Sequence, residues 1–146
     1  MTSEEDVLNA FLTKFSERLR GIWIPQVPLG LRRFQGIPPK YVADLIRIES
    51  NQLKIYSRIA ARYWKRAMKG DSTYEDINLN NKNVLLIEGK VIAGHDAIGQ
   101  LLVYREALLE DWTNIKVSLG IVASSFEPWV KEACKRLGIL TWEIKV

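Results

Sequence analysis

The sequence predicts an α/β layered domain, a mixed central sheet with helices covering both faces. Three observations carry this. Apolar residues recur at helical spacing in several separate segments, short apolar runs with strand character lie between them, and the two patterns alternate along the chain. The 146 residues are close to the usual size of one domain, so residues 1–146 are expected to share one core.

The first segment places Val7, Leu8, Phe11, Leu12, Phe15 and Leu19 on one helical face. Thr2 or Ser3 can cap it, with Glu5 or Asp6 in the first turn, and Arg18, Arg20 and Gly21 close it. Ile22 to Pro39 holds Pro25, Pro28, Pro38 and Pro39 with Gly30 and Gly36. It reads as an extended, turn-rich excursion with at most short edge strands. Tyr41 to Ile48 alternates as a strand does.

Leu53 to Met68 has two readings. Ile55, Ile59, Tyr63, Trp64 and Met68 suit one helix stopped by Lys69-Gly70-Asp71, which is the favoured reading. The other is a strand through Leu53-Lys54-Ile55-Tyr56 followed by a short helix. Asp76 to Leu79, Asn80 to Asn83 and Val84 to Val91 read as strand, turn and strand. The next helix takes Asp96 as N-cap and Ile98, Leu101, Leu102, Leu108 and Leu109 as its stripe. Ile115 to Val122 is a strand, Pro128 opens a helix that Gly138 closes, and Leu140 to Val146 is a final strand.

Lys and Arg number 21 against 17 Asp and Glu, a net charge of +4 that permits contact with phosphate backbones without requiring it. The acidic start Met1-Thr2-Ser3-Glu4-Glu5-Asp6 is unlike a signal peptide, and no apolar run spans a bilayer. The expectation is a soluble, cytoplasmic protein with no membrane partner. The single cysteine, Cys134, excludes an internal disulfide and a cysteine-built zinc cluster, and reads as a small buried hydrophobe. The single histidine, His95, excludes multi-histidine metal sites and reads as a surface or capping residue. Trp23, Trp64, Trp112, Trp129 and Trp142 are expected in core or interface positions.

The chemistry concentrates at Val84 to Lys90. Four apolar residues run directly into Glu88-Gly89-Lys90, and residues two apart on a strand share a face. Glu88 and Lys90 therefore project together from the end of a core strand. Burying both charges costs several kcal/mol per ion unless they are paired or liganded. Phosphodiester hydrolysis uses such a set: a carboxylate holds a divalent cation, and a lysine serves the attacking water or the developing charge. A second carboxylate is then required.

Ile87-Glu88-Gly89-Lys90, an earlier Asp on a strand, and Gln100-Leu101-Leu102-Val103-Tyr104 on the following helix resemble the PD-(D/E)XK nuclease superfamily. The resemblance covers about Asp44 to Ser125, and Ala97 to Arg105 looks especially like small nuclease-like proteins of archaea and their viruses. It implies a restriction-endonuclease-like fold with an inserted helix between the first strand and the Glu-x-Lys hairpin. It also implies a deoxyribonuclease dependent on Mg²⁺ or Mn²⁺, in the host cytoplasm if the chain is viral. Asp44 and Glu88 would hold the metal, Lys90 would serve the water or transition state, and Gln100 would position one of them.

Asp76 is the alternative metal acid, twelve residues before Glu88, whereas Asp44 is forty-four before it. The proline that often precedes the family's Asp is replaced by Ala43. An acid from the first helix sometimes joins such sites, with Glu17 the candidate and Glu5 the alternative; Tyr104 and His95 are further possible members. Arg58, Arg62, Lys65, Arg66 and Lys69 follow one side of the inserted helix and would form a phosphate-binding ridge for DNA. A homodimer is an open expectation. The competing readings are a non-catalytic DNA-binding or scaffolding protein that keeps the fold, and a structural protein in which the charges only pair.

Overall fold

The computed structural model describes residues 2–33 and 41–146. The first helix, α1 (Glu4–Phe15), starts at a reciprocal cap. The Asp6 amide donates to Ser3 Oγ at 3.1 Å, and the Ser3 amide donates to the Asp6 carboxylate at 2.9 Å. Val7 and Phe11, four residues apart, are fully buried against Trp23, Leu45, Ile87 and Val122. That apolar stripe fixes α1 on one face of the sheet.

Six strands form the sheet: β1 (Gly21–Leu29), β2 (Tyr41–Glu49), β3 (Lys54–Ile55), β4 (Asn83–Ala93), β5 (Lys116–Phe126) and β6 (Leu140–Glu143). Their spatial order is β3-β1-β2-β4-β5-β6. β1–β2 and β2–β4 are antiparallel, while β1–β3, β4–β5 and β5–β6 are parallel. The sheet is mixed, as expected. α3 (His95–Asp111) carries the parallel crossover from β4 to β5 and, with α2 (Ala61–Met68), packs on the face opposite α1. α4 (Val130–Leu137) buries Val130 and Cys134 in that same core. On β4, Val84 and Leu86 face the α3 side and Leu85 and Ile87 the α1 side.

Several sequence expectations change. The stretch after residue 21 is a nine-residue strand, largely buried, rather than a turn-rich excursion. Its prolines are tolerated because β3 pairs only with Ile22 and Trp23, so from Pro25 onward a missing N–H costs no bond to β3. Gly36, Pro38 and Pro39, the rest of that expected excursion, lie outside the described residues.

The single helix expected over Leu53–Met68 is instead the short strand β3 followed by α2. The Tyr56 amide donates to the Trp23 carbonyl at 2.9 Å, so pairing with the open edge of β1 prevails over helical periodicity. The strand expected at Asp76–Leu79 is the end of a 3-10 helix, Ser72–Ile77, with the bonded turn after it. Asp71 caps it through Thr73, and Asn78 donates to the Ala67 carbonyl and accepts from the Asn80 amide, so side-chain bonds replace a ladder. β4 is therefore not the second strand of a hairpin begun at Asp76; it pairs with β2 and β5.

Gly94, not Asp96, occupies the N-cap of α3. The buried side of α3 is Ala97, Leu101, Tyr104 and Leu108, while Leu109 is exposed. Asp111 ends that helix buried, accepting from the amides of Gly30 (2.8 Å) and Arg32 (3.0 Å). Burial raises its pKa, while these amides act in the other direction. Among the described residues, no helix is long and apolar enough to cross a membrane.

Candidate functional site

The ladder between β2 and β4 ends at Leu45↔Ile87, whereas β4 and β5 stay paired to Ala93↔Phe126. One more antiparallel rung would set Asp44 opposite Glu88. Instead the strands part, and Asp44 Oδ2 accepts the Gly89 amide at 2.9 Å. The gap thus holds a side-chain carboxylate where a sheet would hold backbone.

Glu88 is buried, 3% exposed. Its Oε1 stands 3.9 Å from Lys90 Nζ, and its buried Oε2 receives no N–H donor, so the neighbouring Asp44 carboxylate is the polar group that a proton on Glu88 meets. Lys90 Nζ also lies 3.8 Å from Glu4 Oε1 at the start of α1. Burial, and after it the neighbouring Asp44 carboxylate, push the Glu88 carboxyl up to about 9; Lys90 opposes the shift. A lone ammonium at this distance does not offset the lost hydration of a nearly enclosed carboxylate.

Gly89 has a steric reason to be glycine. A Cβ there would sit 2.7 Å from Leu8 Cγ, so α1 packs directly onto the backbone between Glu88 and Lys90. That close approach brings Glu4 to Lys90.

The structure therefore joins Asp44, Glu88 and Lys90, as the sequence suggested, and adds Glu4. Glu17 lies beyond the end of α1, lining a cleft with Arg47 and Asn83 instead. Glu5 borders the cleft that reaches Asp44. Of the acids on or beside α1, Glu4 is the one whose carboxylate approaches Lys90, at 3.8 Å, while Glu4 and Glu5 both border the cleft with Asp44. Asp76 sits elsewhere, 3.3 Å from Lys54 Nζ and 3.2 Å from the Tyr56 hydroxyl.

Gln100 donates to the Tyr104 hydroxyl at 2.9 Å, and among the described residues no hydrogen bond joins it to Glu88 or Lys90. Tyr104 is buried, its ring 5.6 Å from that of Tyr41. His95 is exposed at the first position of α3. Arg62, Lys65, Arg66 and Lys69 are on or just after α2, opposite its buried Trp64 and Ala67; Arg58 precedes the helix and borders the cleft beside Asp44. Trp129, expected in a core or interface, is 83% exposed.

Among the described residues, no three His, Cys, Asp or Glu side chains form a group able to hold a metal ion. Two carboxylates do meet, and Mg²⁺ commonly binds through one or two carboxylates while keeping several waters. The buried Glu88 Oε2, which receives no N–H donor, is a hard oxygen of the kind such a cation takes. No protein-family model matches the chain, nor does any curated protein or solved structure.

Proposed function

We propose that the chain is a divalent-metal-dependent deoxyribonuclease that hydrolyses phosphodiester bonds. The observation that carries the reading is the buried Glu88 carboxyl, one oxygen of which receives no N–H donor, set against Asp44 and Lys90 where β2 and β4 part. Asp44 and Glu88 would hold Mg²⁺ or Mn²⁺, which would polarise the phosphate and acidify a bound water. Glu88 would take the anionic form its acceptor role needs when the cation replaces its lost hydration. Lys90 holds its ammonium beside Glu88, placed to orient the attacking water or to meet charge on the phosphate. The Glu4 carboxylate lies 3.8 Å from the same ammonium. The restriction-endonuclease-like form of the fold belongs to this same reading, supported by the acid, Glu and Lys at the parting strands.

The test is cleavage of plasmid and of single-stranded DNA with Mg²⁺, with Mn²⁺ and with a chelator, for the parent and for Lys90→Ala. Cleavage that needs the cation and falls about 10²–10⁴-fold in Lys90→Ala supports the proposal. Equal rates in the purified variant, or none with either metal, would refute it.

A further inference from the structure

We infer that the cleft between α1 and the β1–β2 pair binds one unpaired nucleotide beside the bond that is cut. This rests on the nuclease reading and deepens it. The cleft has a volume of about 490 Å³ and is bordered directly by Asp44. Small-molecule pockets run from ~300 to 1,000 Å³. Leu8, Leu12 and Leu45 supply apolar surface for a sugar or base face, and Asn9, Gln26 and Arg58 stand around it. Among the described residues, no hydrogen bond or ion pair engages the side chains of those three polar residues. Two amides that both donate and accept suit the edge of a base, and a guanidinium suits a phosphate.

A second observation comes from the backbone. Gln26 has φ 53°, a conformation that residues other than glycine rarely take, in the middle of β1. It is also the one residue of β1 missing from the β1–β2 ladder, bracketed by Pro25↔Leu45 and Val27↔Ala43, so it faces Asp44. The pleat inverts there in both strands. Ile22 and Ile24, then Val27 and Leu29, face the α3 core, as do Ala43, then Ile46 and Ile48. This inversion leaves Gln26 exposed at the cleft in a strand that is otherwise largely buried. Strain held at such a position, next to an acid of the site, is the pattern of a place kept for a ligand.

The cleft also selects a substrate class. A base within a duplex is stacked and paired, and it enters a side cleft only by leaving the stack. Single strands and frayed ends are therefore preferred to intact duplex.

The test is titration of the ¹⁵N-labelled protein with deoxyadenosine 5′-monophosphate in chelator, with inorganic phosphate as a parallel arm. The expected result is saturable amide shifts around Asn9, Gln26 and Arg58 for the nucleotide, with phosphate much weaker. Asn9→Ala and Arg58→Ala should each weaken binding by about tenfold. Gln26→Gly, which suits φ 53°, should melt no lower than the parent yet bind the nucleotide more weakly. Shifts confined to α2, equal binding of phosphate, or unchanged affinity in all three variants overturns the subsite. Nucleotide bound in the cleft with no DNA cut under any metal retains the subsite and defeats the nuclease reading. DNA cut with the cleft silent does the reverse.

Discussion

The carboxylate of Asp44 accepts a 2.9 Å hydrogen bond from the amide of Gly89, on the neighbouring strand and one residue past the acid it faces. One side chain thus does two things. It satisfies a backbone donor left over where β2 and β4 part, and it brings negative charge to Glu88. Asp44→Ala should leave the Gly89 N–H without its acceptor and cost roughly 1–3 kcal/mol. Asp44→Asn keeps an acceptor oxygen and should cost less. Both remove the charge and lower the Glu88 pKa. Urea melts check the first statement and carboxyl ¹³C titration the second; equal stabilities for the two variants would count against the hydrogen bond.

Glu88 sets a pH dependence in protein kept free of divalent cations. Its folded pKa is raised from 4.5 to about 9, chiefly by burial. Between those values the folded state binds a proton that the unfolded state has released, so stability falls as pH rises. The contribution is fully present below 4.5 and lost on the way up to about 9. Glu88→Gln should flatten this slope and be the more stable protein at pH 8. The urea midpoint across pH 5 to 9 in chelator measures it, and a parent midpoint that climbs over this range would contradict the assignment.

Gly89→Ala should push α1 off the sheet, because its Cβ would lie 2.7 Å from Leu8 Cγ. The expected loss is about 1–3 kcal/mol, the usual cost of overpacking. Leu8→Ala alone should cost stability through poorer packing, yet in the Gly89→Ala background it should recover part of the loss. A strictly additive double-mutant cycle would show that the two positions do not press on each other.

The basic residues of α2 make a separate prediction. Arg62, Lys65, Arg66 and Lys69 lie opposite the buried Trp64 and Ala67, so DNA can reach them without disturbing the core. Replacing Arg62 and Lys65 with Ala should weaken binding to all sequences alike. It should also flatten the salt dependence, by ~0.9 in slope for each phosphate no longer neutralised. Unchanged affinity at every salt concentration would make the ridge a solvated face only. Arg58 is absent from this group because it sits before the helix.

The Glu-x-Lys strand end was legible because its signal is local. Four apolar residues followed by two charges on one face require only the pleat of β4. Asp44 was legible as an acid within an alternating strand, but not its bond to Gly89, which depends on where a ladder to another strand stops. Glu4 is hidden among three acids in the first turn of α1. Which of them meets Lys90 depends on a helix docking that Gly89 permits across 85 residues of sequence. The prolines of β1 point away from a strand because their cost vanishes only on the side facing away from β2. Lys54–Ile55 has a periodicity that fits a helix, while the unfilled edge of β1 that recruits it is invisible along the chain. Trp129 departs from expectation most plainly: it has φ 72°, offers α4 no side-chain cap and is 83% exposed, none of which its residue type foretells.

The meeting of β2 and β4 is also a seam in time. β1 and β2 are neighbours in sequence and pair with each other; β4, α3 and β5 are likewise consecutive, and β4 pairs with β5. Among the described residues, only the rungs from Leu45↔Ile87 to Ile48↔Val84 join these halves through the sheet, and they close the longer loop of chain. Long loops are closed late, after local pairings have formed. Asp44 arrives on one half, Glu88 and Lys90 on the other. Refolding chains should therefore form the pairings within each half before any of them holds the three groups together.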